Sequence, residues 1–332
     1  MASINGEVDQ YGFERDEDFN YDSYATFMSE YLSVLARRMA KWNKLMQDSS
    51  AIEKSNKVKR YIRKGIPSEL RPEVWLNVSS AQQLKKENPQ KYEQYMAGPN
   101  LEKKVKDSIQ IDIKRTFPEN IYFKDMDESL LAPLANVLTA YASYNSNIGY
   151  CQGLNYIAGM LLLVTKNEKD TFWLLVQMLD KLVPDFYSSK MLGLRIECNV
   201  LDELIRLGHP DLHAHFRSHN IDMELFASKW FVCLYMDVLP VETVLRVWDC
   251  LFYEGSKVLL RAAYTLIVMN KDKFLQKTDF TELCNLFKQI TRDTETLDCH
   301  SFLEQCFKVP KSFSLSKIRK LRKQAEEKIT QK

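Results

Sequence analysis

The sequence predicts an all-α protein. Glycine and proline number only 10 each among 332 residues, about 3% apiece against usual values of roughly 7% and 5%, so few residues favour tight turns. Apolar residues recur every three or four positions through most of the chain, and no segment alternates cleanly with a period of two. Hydrophobic residues make up 45% and charged residues 27%, a mixture typical of a globular protein with a substantial core.

The N-terminal part combines an acidic segment with an amphipathic helix. Residues 1–20 are acidic and polar, and we expect no hydrophobic core there. From about 24 to 46, apolar residues recur every three or four positions, as on one face of a helix. Residues 48–60 are polar and charged, which favours a linker. The sequence therefore predicts an N-terminal helical extension, 1–60, in front of the main domain.

A further helix is predicted after the first Gly–x–Pro break of the chain. Ser68 can cap this helix, and Pro72 falls in its first turn, where a missing N–H costs little. The stretch 85–100 is polar and is interpreted as a connection. Helical periodicity resumes at 101–115 and stops at Pro118.

The rest of the chain is a series of predicted helices with short connections. The segment 154–164 is apolar on nearly all sides, which is typical of a buried helix, whereas 313–330 is basic and is interpreted as an exposed helix. We expect a main domain over 65–310 and a basic C-terminal helix over 311–332, and find no internal repeat. The predicted helices are 130–142, 154–164, 170–182, 191–207, 224–236, 241–254, 257–269, 279–290, 298–307 and 313–330.

Charge is unevenly distributed although the net charge is only +2. Residues 1–30 hold eight acids and one base, residues 36–64 ten bases and two acids, and the tail from Ser316 seven bases and two acids. Such runs are usually solvated faces, and the natural counterpart of the basic ones is an acidic protein or an anionic membrane. We expect peripheral association with anionic membranes, no nucleic-acid partner, and basic runs that are dispensable for intrinsic activity.

The sequence also predicts a cytoplasmic location. The seven cysteines are scattered without a CxxC pair, so no disulfide framework is indicated. The first ten residues have no basic stretch followed by an apolar one, so we expect no signal peptide there. The longest apolar runs are too short or too interrupted to span a bilayer. No heptad run favours self-association, and a monomer is expected.

Two other kinds of site were weighed against simpler interpretations. His209, His213, His215 and His219 include pairs four apart, as in helical metal sites, but Pro210 makes His209 a cap and the two pairs face apart. A polar helix start is favoured, and no metal is expected. The string GYCQG fits a nucleophile elbow with Cys151 as nucleophile, but that elbow needs a preceding strand, and the preceding segment is helical. A packing role for this cysteine is favoured.

Four strings in this order carry a family resemblance: RKGIPSELRPEVW, IQIDIKRTFP, GYCQGLNYIAG and ASKWFVCLYMDVLPVETVLRVWDCLFYEG. They resemble the signature blocks of the TBC domain, the helical module of Rab GTPase-activating proteins. The resemblance covers about 65–255 directly, and the helices to about 307 are expected to complete the domain. It implies a multi-helix, V-shaped arrangement.

The resemblance implies two catalytic side chains. The family's IxxDxxRT motif carries a catalytic arginine, which matches Arg115, and its YxQG motif carries a catalytic glutamine, which matches Gln152. Such a protein accelerates GTP hydrolysis by a GTP-bound Rab protein in vesicle trafficking. The partner carries GTP and Mg²⁺, in agreement with the absence of GxxxxGK[ST] and GxGxxG from this chain. The resemblance therefore implies that this chain needs no cofactor of its own and is an activator, not an enzyme in the strict sense.

Supporting roles follow by position in the motifs. Asp112 is expected to orient Arg115, from which it is three residues away on the same helical face, although such an ion pair alone would be worth little. Thr116 and Pro118 are expected to fix the loop, and Tyr150 and Gly153 to shape the turn at Gln152. A non-catalytic Rab-binding adaptor is the alternative function. Core packing with a buried Arg–Asp pair is at least as well supported as GTPase contact for the residues that match the other blocks: Arg71, Trp75, Trp230, Arg246, Trp248 and Asp249.

Overall fold

A computed structural model of the chain describes residues 8–14, 21–47, 52, 54–98, 101–124, 129–310 and 313–331. Within these ranges the chain is helical without strands, which confirms the all-α prediction, and two isolated β-bridges join Val8 to Glu14 and Phe13 to Asn120. No helix in the described ranges is long and apolar enough to cross a membrane. Most of the predicted acidic segment, 1–7 and 15–20, lies outside them.

The helices are α1 (Tyr21–Gln47), α2 (Asn56–Lys64), α3 (Arg71–Val78), α4 (Ala81–Glu87), α5 (Lys91–Met96), α6 (Lys103–Ile113), α7 (Ile121–Lys124), α8 (Leu131–Tyr144), α9 (Leu154–Thr165), α10 (Glu168–Gln177), α11 (Leu192–Gly208), α12 (Pro210–Ser218), α13 (Met223–Val232), α14 (Val241–Glu254), α15 (Lys257–Met269), α16 (Lys271–Leu275), α17 (Phe280–Gln289), α18 (Thr294–Leu297), α19 (Cys299–Lys308) and α20 (Leu315–Thr330). A 3₁₀ turn precedes α3 at Ser68–Leu70, and a π-helical turn follows α10 at Met178–Leu182.

The chain divides into two compact units, and the first comprises 1–61 and 65–177. Its central helix is α9, in which every residue from Leu154 to Val164 except Tyr156 is buried; this confirms the prediction of a buried helix. Helices α8 and α10 pack against α9. Trp42 of α1 is buried, and its indole N–H donates to the carbonyl of Gly65 at 3.0 Å. The N-terminal helix is therefore anchored in this unit.

The second unit comprises 62–64 and 178–332. Its core contains α14 and α15, whose bounds agree with the predicted 241–254 and 257–269. Helix α19 packs against both, and α11 packs against α13 and α15. Strong apolar periodicity explains the agreement, because it marks a buried face before any packing partner is known.

Several short helices lie where the sequence predicts connections. Helix α2 begins inside the predicted linker 48–60 and occupies 56–60 of it, and α4 and α5 cover 85–87 and 91–96 of the predicted polar stretch 85–100. Each carries few buried apolar residues, such as Val58 in α2 and Tyr92 in α5, among many charged ones. Helices this short are marginal without tertiary packing, so composition alone misses them.

The prediction that Ser68 caps the following helix is wrong. Ser68 begins the 3₁₀ turn, and α3 starts three residues later without a side-chain cap. The carbonyl of Pro67 accepts the N–H groups of Leu70 at 3.0 Å and Arg71 at 3.2 Å. The backbone of the turn thus satisfies donors that a serine cap would otherwise have to meet. Pro72 does lie in the first turn of α3, as predicted.

The C-terminal helix α20 is not the exposed helix that its composition indicates. Ile318, Leu321 and Ala325 recur at helical spacing and are buried, and α20 packs against α11. The guanidinium of Arg322 lies 2.5 Å from the buried carboxylate of Glu197 on α11. The basic residues surround a narrow apolar stripe, so this helix contributes to the second unit. Its removal is expected to destabilise that unit.

Two leucines of α20 test this docking. Leu321 is 8% exposed and Leu315 is 49% exposed. We expect Leu321→Ala to lower the free energy of unfolding by about 2–5 kcal/mol, because a buried leucine leaves a cavity. The matched control Leu315→Ala should change it by less than about 0.5 kcal/mol. Urea unfolding of both variants provides the measurement, and equal small changes would show that α20 is undocked in solution.

Candidate functional site

The end of α6 presents Arg115 on a loop. The helix ends at Ile113, and the hydroxyl of Thr116 donates to the carbonyl of Asp112 at 2.8 Å, while the N–H of Arg115 donates to the same carbonyl at 3.2 Å. These bonds satisfy a carbonyl that has no partner inside the helix. Arg115 therefore lies just beyond the last turn of α6. The helix ends earlier than the position of Pro118 predicts.

The carboxylate of Asp112 forms an ion pair with Arg115. Its Oδ1 lies 2.6 Å from Nη2 of Arg115, and its Oδ2 accepts a hydrogen bond from the hydroxyl of Tyr150 at 2.6 Å. The side chain of Asp112 is 6% exposed and that of Arg115 is 50% exposed. The acid is thus buried and bonded on both oxygens, which an exposed i,i+3 pair would not be. Half of the arginine side chain remains exposed and open to a partner.

The turn that carries Gln152 is shaped by two glycines. Gly149 and Gly153 have φ angles of +59° and +103°, conformations that favour glycine. A Cβ on Gly153 would meet nothing within 4 Å, so the backbone angle is what requires a glycine here. The side chain of Gln152 is exposed at the start of α9.

Asn155 ties the two loops together, and the sequence analysis missed it. This residue is fully buried in the first turn of α9. Its Oδ1 accepts the N–H of Gly153 at 3.1 Å, and its Nδ2 donates to the hydroxyl of Thr116 at 2.8 Å. Together with the bond from Tyr150 to Asp112, it connects the loop of Arg115 to the turn of Gln152. A buried amide inside an apolar helix needs partners, and this was the signal available in the sequence.

The loop after Arg115 is packed by aromatic rings. Phe117 is buried with a φ of +48°, and its ring lies 5.4 Å from that of Tyr156. The hydroxyl of Tyr156 donates to the carbonyl of Arg115 at 3.3 Å. Pro118 is exposed in the turn that the N–H of Asn120 closes on the carbonyl of Phe117 at 3.0 Å. Phe117 and Tyr156 were also missed, because their contacts depend on tertiary packing.

The local electrostatics disfavour a cysteine nucleophile. Burial, together with the neighbouring Asp112, raises the pKa of the Cys151 thiol, so the reactive thiolate is disfavoured at neutral pH. Burial and the hydrogen bond to Asp112 also raise the pKa of Tyr150 well above its usual value. Tyr150 therefore stays protonated and can keep donating to the carboxylate. No strand precedes Cys151 in the described segment 129–150, so the nucleophile elbow is not formed.

The remaining motif residues are buried in the two units. Arg71 and Trp75 lie in the core of the first unit, and the guanidinium of Arg71 donates to the hydroxyl of Tyr11. In the second unit, Nε of Arg246 lies 3.8 Å from Asp249. The burial of these residues agrees with a packing role. The members in the second unit, each no more than 4% exposed, are Trp230, Arg246, Trp248 and Asp249.

Histidines of the cluster 209–219 contact other groups of the protein. His209 precedes α12, as Pro210 predicts. Nδ1 of His219 lies 2.8 Å from the carbonyl of His215, and His213 lies 3.4 Å from Asp202. In the described ranges no group of three His, Cys, Asp or Glu side chains is placed to hold a metal ion.

The comparison with family models decides the family. A model described as the Rab-GTPase-TBC domain matches residues 68–275, which is more than half of the chain. The chain belongs to the Rab-GTPase-TBC domain family. The matched region includes the loop of Arg115, the turn of Gln152 and α14, so the TBC resemblance of the four sequence strings is confirmed.

Individual TBC proteins are similar over nearly the whole chain. Growth hormone-regulated TBC protein 1-A of Danio rerio is 46% identical over 323 residues, covering 97% of this chain and 90% of that protein. The Homo sapiens growth hormone-regulated TBC protein 1 is 45% identical over 319 residues, covering 95% and 94%. The string DQYGFERDEDF (residues 9–19) and the chain length predict similarity to these TBC proteins in particular, and the comparison confirms it.

Solved structures of TBC domains show the same fold. The Chlamydomonas flagellar RabGAP TBC domain superposes with a TM-score of 0.77 at 30% identity, covering 92% of this chain and all of that one. The Ypt/Rab-GAP domain of Gyp1p superposes with a TM-score of 0.70 at 21% identity, covering 83% and 98%. The second likeness is one of fold alone.

Proposed function

We propose that this TBC protein is a GTPase-activating protein for Rab-family GTPases, and that it places Arg115 and Gln152 in the partner's active site. One observation carries the proposal. A half-exposed arginine and an exposed glutamine lie on two loops that Asp112, Tyr150 and Asn155 join through buried and partly buried hydrogen bonds. Groups held in this way can act on one ligand without a large loss of side-chain freedom.

The proposed chemistry needs these two side-chain types. GTP hydrolysis develops negative charge on the phosphate oxygens in the transition state, and an arginine supplied in trans stabilises it. A planar guanidinium can donate two parallel bonds to such oxygens. An amide such as that of Gln152 both donates and accepts, so it can orient the attacking water. The GTP-bound partner would bring the nucleotide and Mg²⁺, and this chain would need no cofactor of its own.

Asp112 is the positioning group in this proposal. Its buried carboxylate bonds one edge of the Arg115 guanidinium at 2.6 Å and leaves the remaining N–H groups available to phosphate. The bond from Tyr150 keeps the second carboxylate oxygen occupied, so that this oxygen does not compete with the phosphate. The arginine is thus oriented before the partner arrives, which lowers the entropy cost of forming the complex.

The charge distribution and the family also suggest where the protein acts. We propose a cytoplasmic monomer that meets its Rab on membranes, with the basic stretch 36–64 attracted to anionic lipids. A role in vesicle trafficking would follow from activity on a Rab. These proposals rest on charge and on family membership.

Single-turnover GTP hydrolysis across a panel of GTP-loaded Rab proteins tests the function. We expect the protein to accelerate GTP hydrolysis by at least one Rab about 10³-fold or more, the order of the effect of an arginine supplied in trans. Tight binding to a GTP-loaded Rab without acceleration would instead support the adaptor alternative.

Ile111 provides a test of the binding surface. Its side chain is 64% exposed, and it lies in the last turn of α6, four residues before Arg115. A buried isoleucine at an interface is worth about 1.5–3 kcal/mol, so Ile111→Ser should raise the half-saturating concentration about tenfold or more. The maximal hydrolysis rate should stay within about twofold, since binding shared by ground and transition states does not alter it. Leu225→Ser, at a residue 58% exposed on α13, is the control; equal effects would argue against a contact at Ile111.

A further inference from the structure

Residues 8–14, which we call the N-terminal strap, form a compact turn. The carboxylate of Asp9 accepts the N–H groups of Tyr11 at 2.8 Å and Phe13 at 2.9 Å. The N–H of Asp9 donates to the carbonyl of Phe13 at 2.8 Å, and a β-bridge joins Val8 to Glu14. These bonds give the strap a defined shape, although the sequence predicts no core for this acidic region.

The strap is bonded to the loop 114–120 that follows α6, here called the finger loop, and to the residue after it. The N–H of Glu14 donates to the carbonyl of Glu119, and the N–H of Ile121 donates to the carbonyl of Gly12, both at 2.9 Å. Nδ2 of the fully buried Asn120 donates to the carbonyl of Tyr11 at 3.0 Å. Two hydrogen bonds thus join the strap to the far end of the finger loop, and a third joins it to Ile121.

Side chains extend this pairing toward Arg115. The rings of Phe13 and Phe117 lie 5.0 Å apart with their planes at 82°, an edge-to-face contact. Phe117 contacts Tyr156 on another side, and Tyr156 donates to the carbonyl of Arg115. Phe117 also has a positive φ of 48°. A bulky residue keeps such a strained angle only where its surroundings enforce it, and Phe13 is part of those surroundings.

The strap has its own anchor in the first unit. Tyr11 is 6% exposed, and its hydroxyl accepts a hydrogen bond from the buried guanidinium of Arg71 at the start of α3. Gly12 lies against Tyr122, and a Cβ on this glycine would stand 2.5 Å from the ring. Only a glycine can therefore lie here with the observed φ of +90°.

We infer that the strap is a positioning element for Arg115: by holding Phe117 and Asn120 it keeps the finger loop in the conformation that presents the arginine. This inference rests on the proposed function for its effect on hydrolysis, but the hold on the loop is a property of the protein alone. Losing the hold should slow the chemical step more than it weakens binding, because misplacement of a catalytic group acts on the transition state.

The experiment compares Gly12→Ala and Phe13→Ala in the full chain with the wild type. Amide hydrogen exchange is measured first, without any GTPase. The N–H of Ile121 bonds the strap directly, whereas that of Asn120 bonds the carbonyl of Phe117 inside the loop. We expect both amides to exchange about tenfold faster or more in both variants, since a loosened loop opens more often. Unchanged exchange at Asn120 would overturn the inference.

Hydrolysis is measured next, on a Rab that the wild type accelerates. The maximal single-turnover rate should fall about tenfold or more in both variants, with the half-saturating concentration within about threefold. Phe13→Leu, which keeps apolar volume, should recover much of the rate. The matched control Phe280→Ala, at a residue 46% exposed on α17, should change neither measurement. An unchanged rate in the two strap variants would overturn the positioning role.

The two proposals fail in different ways. If the wild type accelerates no Rab, the proposed function is wrong, and exchange at Asn120 alone decides whether the strap holds the loop. Unchanged exchange in α8 and α10, which pack against α9 in the same unit as the strap, verifies that this unit is folded in each variant.

Discussion

Arg115→Ala should reduce stimulated GTP hydrolysis by about 10³-fold or more, the worth of an arginine supplied in trans. The substitution removes the guanidinium that Asp112 holds half-exposed at the end of α6. Arg115→Lys should fail similarly, because a flexible ammonium lacks the planar fork that phosphate oxygens require. The measurement is single-turnover hydrolysis at saturating concentrations of each variant.

Stability separates this catalytic effect from a folding defect. Arg115→Ala leaves one oxygen of the buried Asp112 without its partner, but water can replace a half-exposed guanidinium, so the cost should stay below about 2 kcal/mol. Arg206 is the matched control, since it is also half-exposed and lies 2.6 Å from an acid three residues before it, Glu203. Arg206→Ala should leave hydrolysis unchanged. A folded Arg115→Ala protein with a near wild-type rate would contradict the arginine assignment.

Gln152→Ala should lower the maximal rate by about 10²–10³-fold, the order found when one positioned polar group is removed from a transition state. Its side chain is exposed at the start of α9, so the free energy of unfolding should change by less than about 0.5 kcal/mol. Gln289→Ala, at an exposed position of α17, is the control for the same chemical change. Equal rates for the two variants would remove Gln152 from the mechanism.

The double variant tests whether the two groups act together. If Arg115 and Gln152 serve one transition state, removing both should cost less than the product of the single losses. Strictly multiplicative losses would indicate independent roles. The coupling is expected because Asn155 and Tyr150 join the two loops through hydrogen bonds of 2.6–3.1 Å.

Sequence patterns alone are enough to predict the all-α class, the bounds of α14 and α15, and the turn that carries Gln152. They predict a helix that still contains Arg115, whereas the structure ends this helix at Ile113. The correctly predicted features depend on local information. Apolar residues at every third or fourth position mark a buried helical face, and the glycines at 149 and 153 mark a turn whatever packs around it.

Tertiary structure decided what holds those loops. The sequence places Asp112 and Arg115 three residues apart, but only packing buries the acid and bonds its second oxygen to Tyr150. The amide of Asn155 and the ring of Phe13 reach the finger loop across 39 and 104 residues of chain. The composition of α20 predicts a solvated basic segment, but in the structure its apolar stripe is buried and α20 packs against α11. Such contacts join residues far apart in the chain, and local periodicity cannot identify a distant partner, because burial depends on what the fold brings alongside.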